Sequence, residues 1–386
     1  MSTIEDNGAQ EISRTRGLQG WAAAWRRRRS RLIADPAFQR WTARLPLIRL
    51  IVARKERALF NLAAGFVYSQ VLYALIEAGV LPMLLEGPKS SEDIASQTGL
   101  PAANVQALLR AGCEIELIAE ADNSWLLSDL GAVVVSNDGI RAMVRHHAML
   151  YSDLADPMAL LHNRKTETKT ARFWSYAGGT DADSVTTEEA EAYSGLMSMS
   201  QDLIIEEVLA AYSLSGHKQI LDVGGGEGRF LGAAAERYPN LQLRLFDLPA
   251  VAERARSTFA QSAASERFEV IAGDFFNDEI PPGSDLISLI RILCDHDDGP
   301  ALALLRRIRA TMEPGHRLLI AEPMGGRQGR AGGAAAYFSF YFLAMQSGRS
   351  RTPGEIKNML DEAGFRGSRF VRCRQPLLTS VIIAEA

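Results

Sequence analysis

The stretch Ile220-Leu-Asp-Val-Gly-Gly-Gly-Glu-Gly228 constrains this chain more than any other. An apolar, β-favouring run enters a glycine loop, and the residues beyond it read as a helix. Strand, glycine turn and helix in that order open an α/β unit. There the missing side chains let the backbone approach a ligand at the carboxyl end of the strand. The loop is not the dinucleotide fingerprint G-x-G-x-x-G, because the sixth position counted from Gly224 is Arg229. A pyrophosphate ligand loses support, and a purely structural turn is the plainer reading of any glycine run.

The residues downstream repeat the same grammar. Strands are expected at Gln219–Val223, Leu241–Phe246, Phe268–Ala272, Asp285–Leu293 and Arg317–Ala321, with helices near 229–237, 250–260, 299–312 and 353–363. That alternation predicts an α/β fold with a doubly wound parallel sheet covered on both faces. Phe370–Arg374 and Thr379–Ile383, parted by Gln375-Pro376, predict an antiparallel hairpin at the sheet edge. A long helix, Thr187–Tyr212, leads into this half. Upstream, Phe60, Ala63, Val67, Val71 and Leu75 recur at helical spacing. Helix starts at Ser90-Ser-Glu-Asp93 and Pro101 follow, then a hairpin Ile118–Leu127 turning at Asp122-Asn123. Helix, helix, helix, hairpin is the winged-helix order. The expected organisation is a basic extension (1–50), a mainly helical winged-helix-like domain (51–185) and the sheet domain (186–386).

Composition is globular, with 47% apolar and 23% charged residues, and the net charge of −4 draws nothing to nucleic acid overall. The exception is Trp25-Arg-Arg-Arg-Arg-Ser-Arg31, a solvated face on the plainer reading and a contact for an anionic membrane surface on the sharper one. Cys113, Cys294 and Cys373 are far apart and lack a CxxC pair. That argues for a reducing compartment, the cytoplasm, and against a disulfide framework. The first thirty residues are polar and basic, unlike a secretory signal. No apolar run reaches the roughly 20 residues of a membrane span; the nearest, Ala331–Met345, is shorter.

Two carboxylates stand in register with the glycine loop. Asp247 ends the second strand twenty-three positions after Gly224, a spacing that suits both hydroxyls of a ribose. Asp274 ends the third strand beside Phe275, a pair that suits the amino group and face of an adenine. A helix N-cap is the plainer reading of either aspartate. Three strand ends in register favour a nucleoside.

The segments Leu221–Gly228, Phe246-Asp-Leu-Pro249 and Gly273-Asp-Phe-Phe276 resemble the class I S-adenosylmethionine-dependent methyltransferases. More narrowly, they resemble the small-molecule O-methyltransferases. The resemblance covers most of the chain, since that family carries an N-terminal winged-helix-like dimerisation domain. It implies S-adenosyl-L-methionine as cofactor and a homodimer. It assigns Gly224 and Gly226, Asp247 with Leu248, and Asp274 with Phe275 to the cofactor. A family lysine falls at Ile290, and Arg291 is the candidate to stand in for it. The segments Arg57–Gln70, His146–Asp156 and Asp295-His-Asp-Asp298 are similar to the demethylspheroidene (hydroxyneurosporene) O-methyltransferases. These are carotenoid enzymes of phototrophic bacteria. That similarity implies methylation of the tertiary 1-hydroxyl of an acyclic carotenoid.

At Leu289-Ile-Arg-Ile-Leu-Cys-Asp-His-Asp-Asp298 the apolar run stops and ligand-type residues crowd together. Consecutive side chains on one turn diverge, so no metal is expected. The family's general-base histidine falls at Cys294, one supporting glutamate at Glu322 and the other near Ser350, where none stands. His296 is the base expected in its place, with Asp295 to orient it or contact the cofactor. Asp297 or Asp298 is expected to cap the next helix. His146 and His147 are rival bases. Tyr337, Tyr341 and Met345 share one helical stripe beside Phe338 and Phe342, a core or interface pattern that could also wall an acceptor pocket. Two other readings are a tetrapyrrole or phenolic acceptor and a winged-helix DNA-binding regulator. Against the regulator, the helix Pro101–Cys113 offers only Arg110 as a basic side chain.

Overall fold

The structure is a computed structural model, and it describes residues 21–42, 44–162, 167–177, 201, 204–325, 332–374 and 379–386. The chain divides into two compact units, one of Met1–Ala78 with Ser91–Ile115 and one of Gly79–Ser90 with Glu116–Ala386. This division does not follow the expected bounds 51–185 and 186–386. The helices between 129 and 177 belong with the sheet.

In the first unit the expected periodicity gives the helix Pro46–Glu77, with proline at its first turn, followed by Ser91–Thr98 and Ala102–Glu114. Leu75, Ile94, Val105 and Leu109 are buried. Of the expected stripe, Val71 is half-buried, and Phe60, Ala63 and Val67 are exposed, Phe60 to 64%; Leu59, Leu62 and Phe66 beside them are exposed too. A 30-residue segment of that helix, Ile48–Glu77, is long and apolar enough to cross a membrane, with mean hydropathy 1.6 over a window that is 11% buried. This corrects the expectation that no segment reaches that length. Asn61, Ser69 and Gln70 interrupt the apolar run without charging it. Length and composition alone do not distinguish such a helix from one that pairs with another protein surface.

In the second unit a short hairpin joins β1 (Ile118–Ala121) to β2 (Ser124–Leu127). Its turn residues Asp122 and Asn123 both have positive φ, 49° and 62°, as a two-residue primed turn requires. The main sheet holds β3 (Gln219–Val223), β4 (Gln242–Asp247), β5 (Phe268–Ala272), β6 (Leu286–Ile290), β7 (Arg317–Glu322), β8 (Arg366–Val371) and β9 (Ser380–Glu385). Their order is β5-β4-β3-β6-β7-β9-β8. The first five are parallel, and β9 runs antiparallel between β7 and β8. The expected edge hairpin is therefore present, over Arg366–Val371 and Ser380–Glu385.

Alternation sends side chains to opposite faces of the sheet. Ile220, Leu243, Leu245, Leu286 and Leu319 meet one layer of helices, including 204–211 and Pro249–Ala260. Leu221, Val223, Ile287, Leu289 and Ile320 meet Asp298–Thr311 and Pro353–Glu362 on the other face. Of the long helix expected at Thr187–Tyr212, residues 204–211 are helical, and most of the remainder lies outside the described residues.

The chain winds one way from β3 through β4 to β5 and the other way through β6 to β7. The carboxyl ends of β3 and β6 thus flank the point where strand order reverses, the place where open α/β sheets bind ligands. The fourth parallel strand is shorter than expected. It ends at Ile290, and Arg291 turns into the left-handed region at φ 58° while its N–H donates to the Ala321 carbonyl at 2.8 Å. A 3₁₀ turn, Leu293–Asp295, follows. Apolarity continued past the strand because the turn is itself buried, with Leu293 and Cys294 almost fully enclosed.

Candidate active site

The glycine loop is shaped by close approach. Gly224 has φ 71°, donates to the Phe246 carbonyl at 2.8 Å, and would place a Cβ 2.5 Å from Ile292 Cδ1. Any side chain there collides with the segment after β6. At Gly226 a Cβ would meet nothing within 4 Å, so the loop presents bare backbone to open space. Gly226 N–H donates to Asp247 Oδ2 at 2.8 Å, and Leu248 N–H donates to Asp247 Oδ1 at 2.7 Å. Each carboxylate oxygen keeps a free lone pair, enough to accept two hydroxyl protons of a diol. Burial pushes the Asp247 carboxyl up to about 6. Asp247 is not a helix cap: the helix Pro249–Ala260 starts from Leu248, with no side-chain cap bond.

Asp274 holds its own turn, accepting Phe276 N–H at 2.8 Å and Asn277 Nδ2 at 2.6 Å. Phe275 and Phe276 meet edge to face at 4.7 Å. Beneath the loop, Asp222 is buried and accepts from Ser288 Oγ at 2.6 Å, with burial pushing it up to about 7. Bare loop, spare acceptor and aromatic pair fit an adenosyl group.

The turn after β6 is fixed from two sides. Glu322, at the end of β7 and 2% exposed, accepts Leu293 N–H at 2.8 Å and Cys294 N–H at 3.0 Å. Burial pushes its carboxyl up to about 7. Arg351, also 2% exposed, donates to the carbonyls of Leu293 and His296 at 2.6 and 2.7 Å and to Asp298 Oδ1 at 3.0 Å. Arg349 N–H donates to the Cys294 carbonyl at 2.9 Å, and its guanidinium forks onto both oxygens of Asp298. Gly348 must be glycine, because at φ 73° a Cβ would lie 2.1 Å from the Cys294 carbonyl oxygen.

The expected capping holds in position but not in bonding: Asp297 is the N-cap residue of the helix Asp298–Thr311 and Asp298 puts an acid in the first turn, yet Asp297 makes no side-chain cap bond. Its carboxylate accepts Gly348 N–H at 3.1 Å instead. Asp298 is taken by the two arginines, which compete successfully for a carboxylate that a neutral N–H would otherwise hold.

His296 lies edge-on to Phe275 and Phe276, at 5.7 and 4.9 Å. That places it on the side of Asp274. Burial and then Arg351 lower its pKa. Asp295 faces the other way. Its Oδ1 accepts weakly from Cys294 Sγ at 3.4 Å, and burial, partly offset by Arg291, holds its carboxyl at about 6. Its charge also reaches Tyr341. Cys294 is buried and its thiol is pushed up, so it stays neutral.

Four helices, Asp138–Leu154, Pro157–Leu161, Lys169–Ala177 and Gly332–Met345, pack over this turn around Cys294, Tyr341, Phe342 and Met345. His146 Nε2 bonds Tyr341 Oη at 2.7 Å, Trp174 Nε1 donates to that same Oη at 2.8 Å, and His147 Nε2 bonds Tyr337 Oη at 2.8 Å. Burial and the neighbouring His147 drive His146 down to about 4, so it is neutral. Its Nδ1 is buried with no partner among the described residues. The Arg291 guanidinium lies 6.0 Å over Phe338, and its charge acts on Tyr337 and Tyr341. The fold thus gathers Arg291, Asp295, His146, His147, Tyr337, Tyr341 and Met345 around the helical cap. It sets His296 with Asp274 and Phe275, and Glu322 beneath both.

Residues 151–366 match the O-methyltransferase domain family, and residues 60–137 match the O-methyltransferase dimerisation domain. The chain belongs to the O-methyltransferase family. It is 40% identical to the demethylspheroidene O-methyltransferase of Cereibacter sphaeroides, over 92% of this chain and 93% of that one. The Rhodobacter capsulatus protein of the same name is also 40% identical, covering 89% and 85%. Among solved structures, human N-acetylserotonin methyltransferase in complex with SAM superposes with a TM-score of 0.68 at 25% identity, covering 86% of this chain and 97% of that one. The mitomycin 7-O-methyltransferase MmcR shares the fold at a TM-score of 0.72 and 24% identity, covering 88% and 100%. This O-methyltransferase uses S-adenosylmethionine, and its dimerisation domain supports a homodimer. The regulator reading is not favoured by these relatives.

Sequence reasoning missed Arg349, Arg351, Asp222 and Ser288. No short motif marks them, because each acts on backbone or side chains that only folding brings near.

The buried carboxyls give a pH test of stability. Asp222 and Glu322 lie at about 7, Asp247 and Asp295 at about 6, all raised by burial. A raised carboxyl binds its proton more tightly when folded, so its stabilising contribution is full below the unfolded value and is lost as pH rises through the folded one. Asp298 and Glu355 are lowered, chiefly by hydrogen bonds, and titrate below that window. His146, His147, His217 and His296 are lowered by burial and act in the opposite sense below the unfolded value of about 6.5, so the denaturant midpoint of the ligand-free protein should fall between about pH 6.5 and about pH 7.5. Glu322→Gln should show a shallower fall; equal slopes would remove Glu322 as a source.

Proposed function

We propose that this O-methyltransferase methylates the tertiary 1-hydroxyl of an acyclic carotenoid, demethylspheroidene or hydroxyneurosporene, in carotenoid biosynthesis. The observation that carries this reading is the 40% identity over 92% of the chain to a protein named for that substrate. The aromatic cap of Tyr337, Phe338, Tyr341 and Phe342 supports it, since a polyene needs an apolar wall. Tetrapyrrole and phenolic acceptors are the competing outcomes.

The glycine loop, Asp247 with Leu248, and Asp274 with Phe275 would hold the nucleoside of the cofactor. Asp247 would take the ribose hydroxyls, and Phe275 would cover the adenine ring. His296, edge-on to Phe275 and Phe276, would complete that wall. When bound, S-adenosylmethionine supplies a methyl on a positively charged sulfur, open to in-line displacement.

What this chain must do is hold the acceptor oxygen behind that methyl at roughly 3 Å, which supplies most of the rate by alignment. A tertiary alcohol does not ionise beforehand, so its proton leaves during or after transfer. With the cofactor bound, the acceptor oxygen would take the methyl as the carbon–sulfur bond breaks, and a protein acceptor would take the hydroxyl proton.

Asp295 is that acceptor in our reading, in place of His296. Its carboxylate is ionised above about pH 6, sits next to the family's base position at Cys294, and acts on Tyr341. Arg291 would steady it, Glu322 and Arg351 would position the turn that carries it, and His146, His147, Tyr337, Tyr341 and Met345 would shape the acceptor pocket.

Purified protein with S-adenosylmethionine should add one methyl to a 1-hydroxy carotenoid and none to tetrapyrrole or phenol pools, read by mass spectrometry. A methylated phenol with an unchanged carotenoid would overturn the acceptor. Asp247→Ala should weaken cofactor binding about tenfold to a hundredfold, because charged hydrogen bonds contribute about 1.5–3 kcal/mol; calorimetry at wild-type affinity would take Asp247 out of the site. In single-turnover assays the wild-type rate should rise through about pH 6 and then level. Asp295→Asn should lose about 10²–10⁴-fold and that pH dependence while keeping cofactor affinity. His296→Ala should instead weaken cofactor binding; a slow His296→Ala enzyme with normal affinity would return the base to His296.

A further inference from the structure

Residues 21–34 are helical and exposed along their whole length. They contain Arg26, Arg27, Arg28, Arg29 and Arg31 and no acidic residue. Projected at about 100° per residue, Trp21, Trp25 and Leu32 fall within roughly 40° of one another. Arg28 and Arg29 flank that strip, and Arg26, Arg27 and Arg31 cover the back. Trp21 is 69% exposed and Trp25 52%, and the Arg29 guanidinium stacks 5.5 Å over the Trp25 ring. Trp41 is exposed a short way on, with Arg40 and Arg44 near it. The segment also precedes residues 60–137, the part that matches the dimerisation domain.

We propose that residues 21–34 form an interfacial helix that lies on an anionic phospholipid surface. Tryptophan and leucine on one strip, with arginines on both flanks, is the pattern of a helix lying in the headgroup plane. Indole rings favour that boundary because one side is apolar and the N–H stays wet. Flanking arginines extend along the apolar strip and place their guanidinium groups among lipid phosphates. Five cations with no intervening acid give the charge match to one occupant, an acidic bilayer face. The surface rests on these residues alone. Its use, to load a bilayer-dissolved polyene into the acceptor pocket, rests on the carotenoid reading above.

The test uses full-length protein, S-adenosylmethionine absent, and vesicles of phosphatidylcholine alone or mixed with phosphatidylglycerol. The protein should co-sediment with the mixed vesicles, not the neutral ones, and be released by salt. Arg27→Gln with Arg31→Gln should weaken binding roughly tenfold to thirtyfold, at about 1 kcal/mol per basic side chain near the surface. Trp21→Ser, Trp25→Ser and Leu32→Ser together should abolish it, with unchanged circular dichroism, dimer mass and turnover of detergent-dispersed acceptor. Equal sedimentation of this triple variant and the wild type would overturn the proposal. So would tighter retention on duplex DNA or RNA than on anionic vesicles, or a triple variant that sediments as a smaller species. The last result would mean that the tryptophan strip is a subunit contact. Vesicle binding without a methylated carotenoid would leave this helix assigned and remove the acceptor reading; the reverse pattern would do the opposite.

Discussion

A single buried carboxylate sets the geometry of the site. Glu322 ends a central strand and accepts two consecutive backbone N–H groups, those of Leu293 and Cys294. Those amides belong to a turn that leaves β6 through a left-handed residue and would otherwise be buried without partners. An unmet buried donor costs about 1–3 kcal/mol, so the turn has one stable course. Arg351 completes it from the opposite side by donating to the carbonyls of Leu293 and His296. With donors and acceptors both filled, Asp295 and His296 leave the turn in opposite directions, one toward the aromatic cap and one toward the phenylalanines after β5. The division of the site into an acceptor side and a nucleoside side follows from that locked turn.

The same mouth concentrates carboxyl groups whose ionised form folding disfavours. Asp222, Asp247, Asp295 and Glu322 sit at or near the carboxyl ends of parallel strands, and burial raises all four. Among the described residues, Arg291 acts on Asp295 and Arg254 acts on Asp247. Such an arrangement suits a cofactor that brings a positive charge and hydroxyl donors with it. It also strains the empty protein, because each of these groups is better solvated in the unfolded chain.

The helix Pro46–Glu77 shows the opposite imbalance. Its apolar residues from Leu50 to Val67 stand in solvent in one copy of the chain, although the helix is continuous and starts with a favourable proline. A face of that size on one helix needs a cover. The dimerisation domain that overlaps it supplies the reason, since a second copy can bury the stripe that this chain leaves open.

The order of elements was legible in the sequence because parallel strands buried on both faces read as near-continuous apolar runs, and glycines punctuate their ends. Gly224, Asp247, Asp274 and Phe275 could be placed at strand ends for the same reason, and the hairpin at Asp122-Asn123 from its turn chemistry. Apolarity reports burial, however, not conformation. So the sequence extended the fourth strand to Leu293, where folding had already turned the chain at Arg291. Nor could spacing reveal that Asp298 is claimed by Arg349 and Arg351 from more than fifty positions away, or that Glu322 serves backbone amides. Local sequence determined which residues stand at the mouth of the sheet. Tertiary structure decided which way each one faces, because that choice depends on hydrogen-bond partners brought together only when β6, β7 and the segment after the aromatic helix meet.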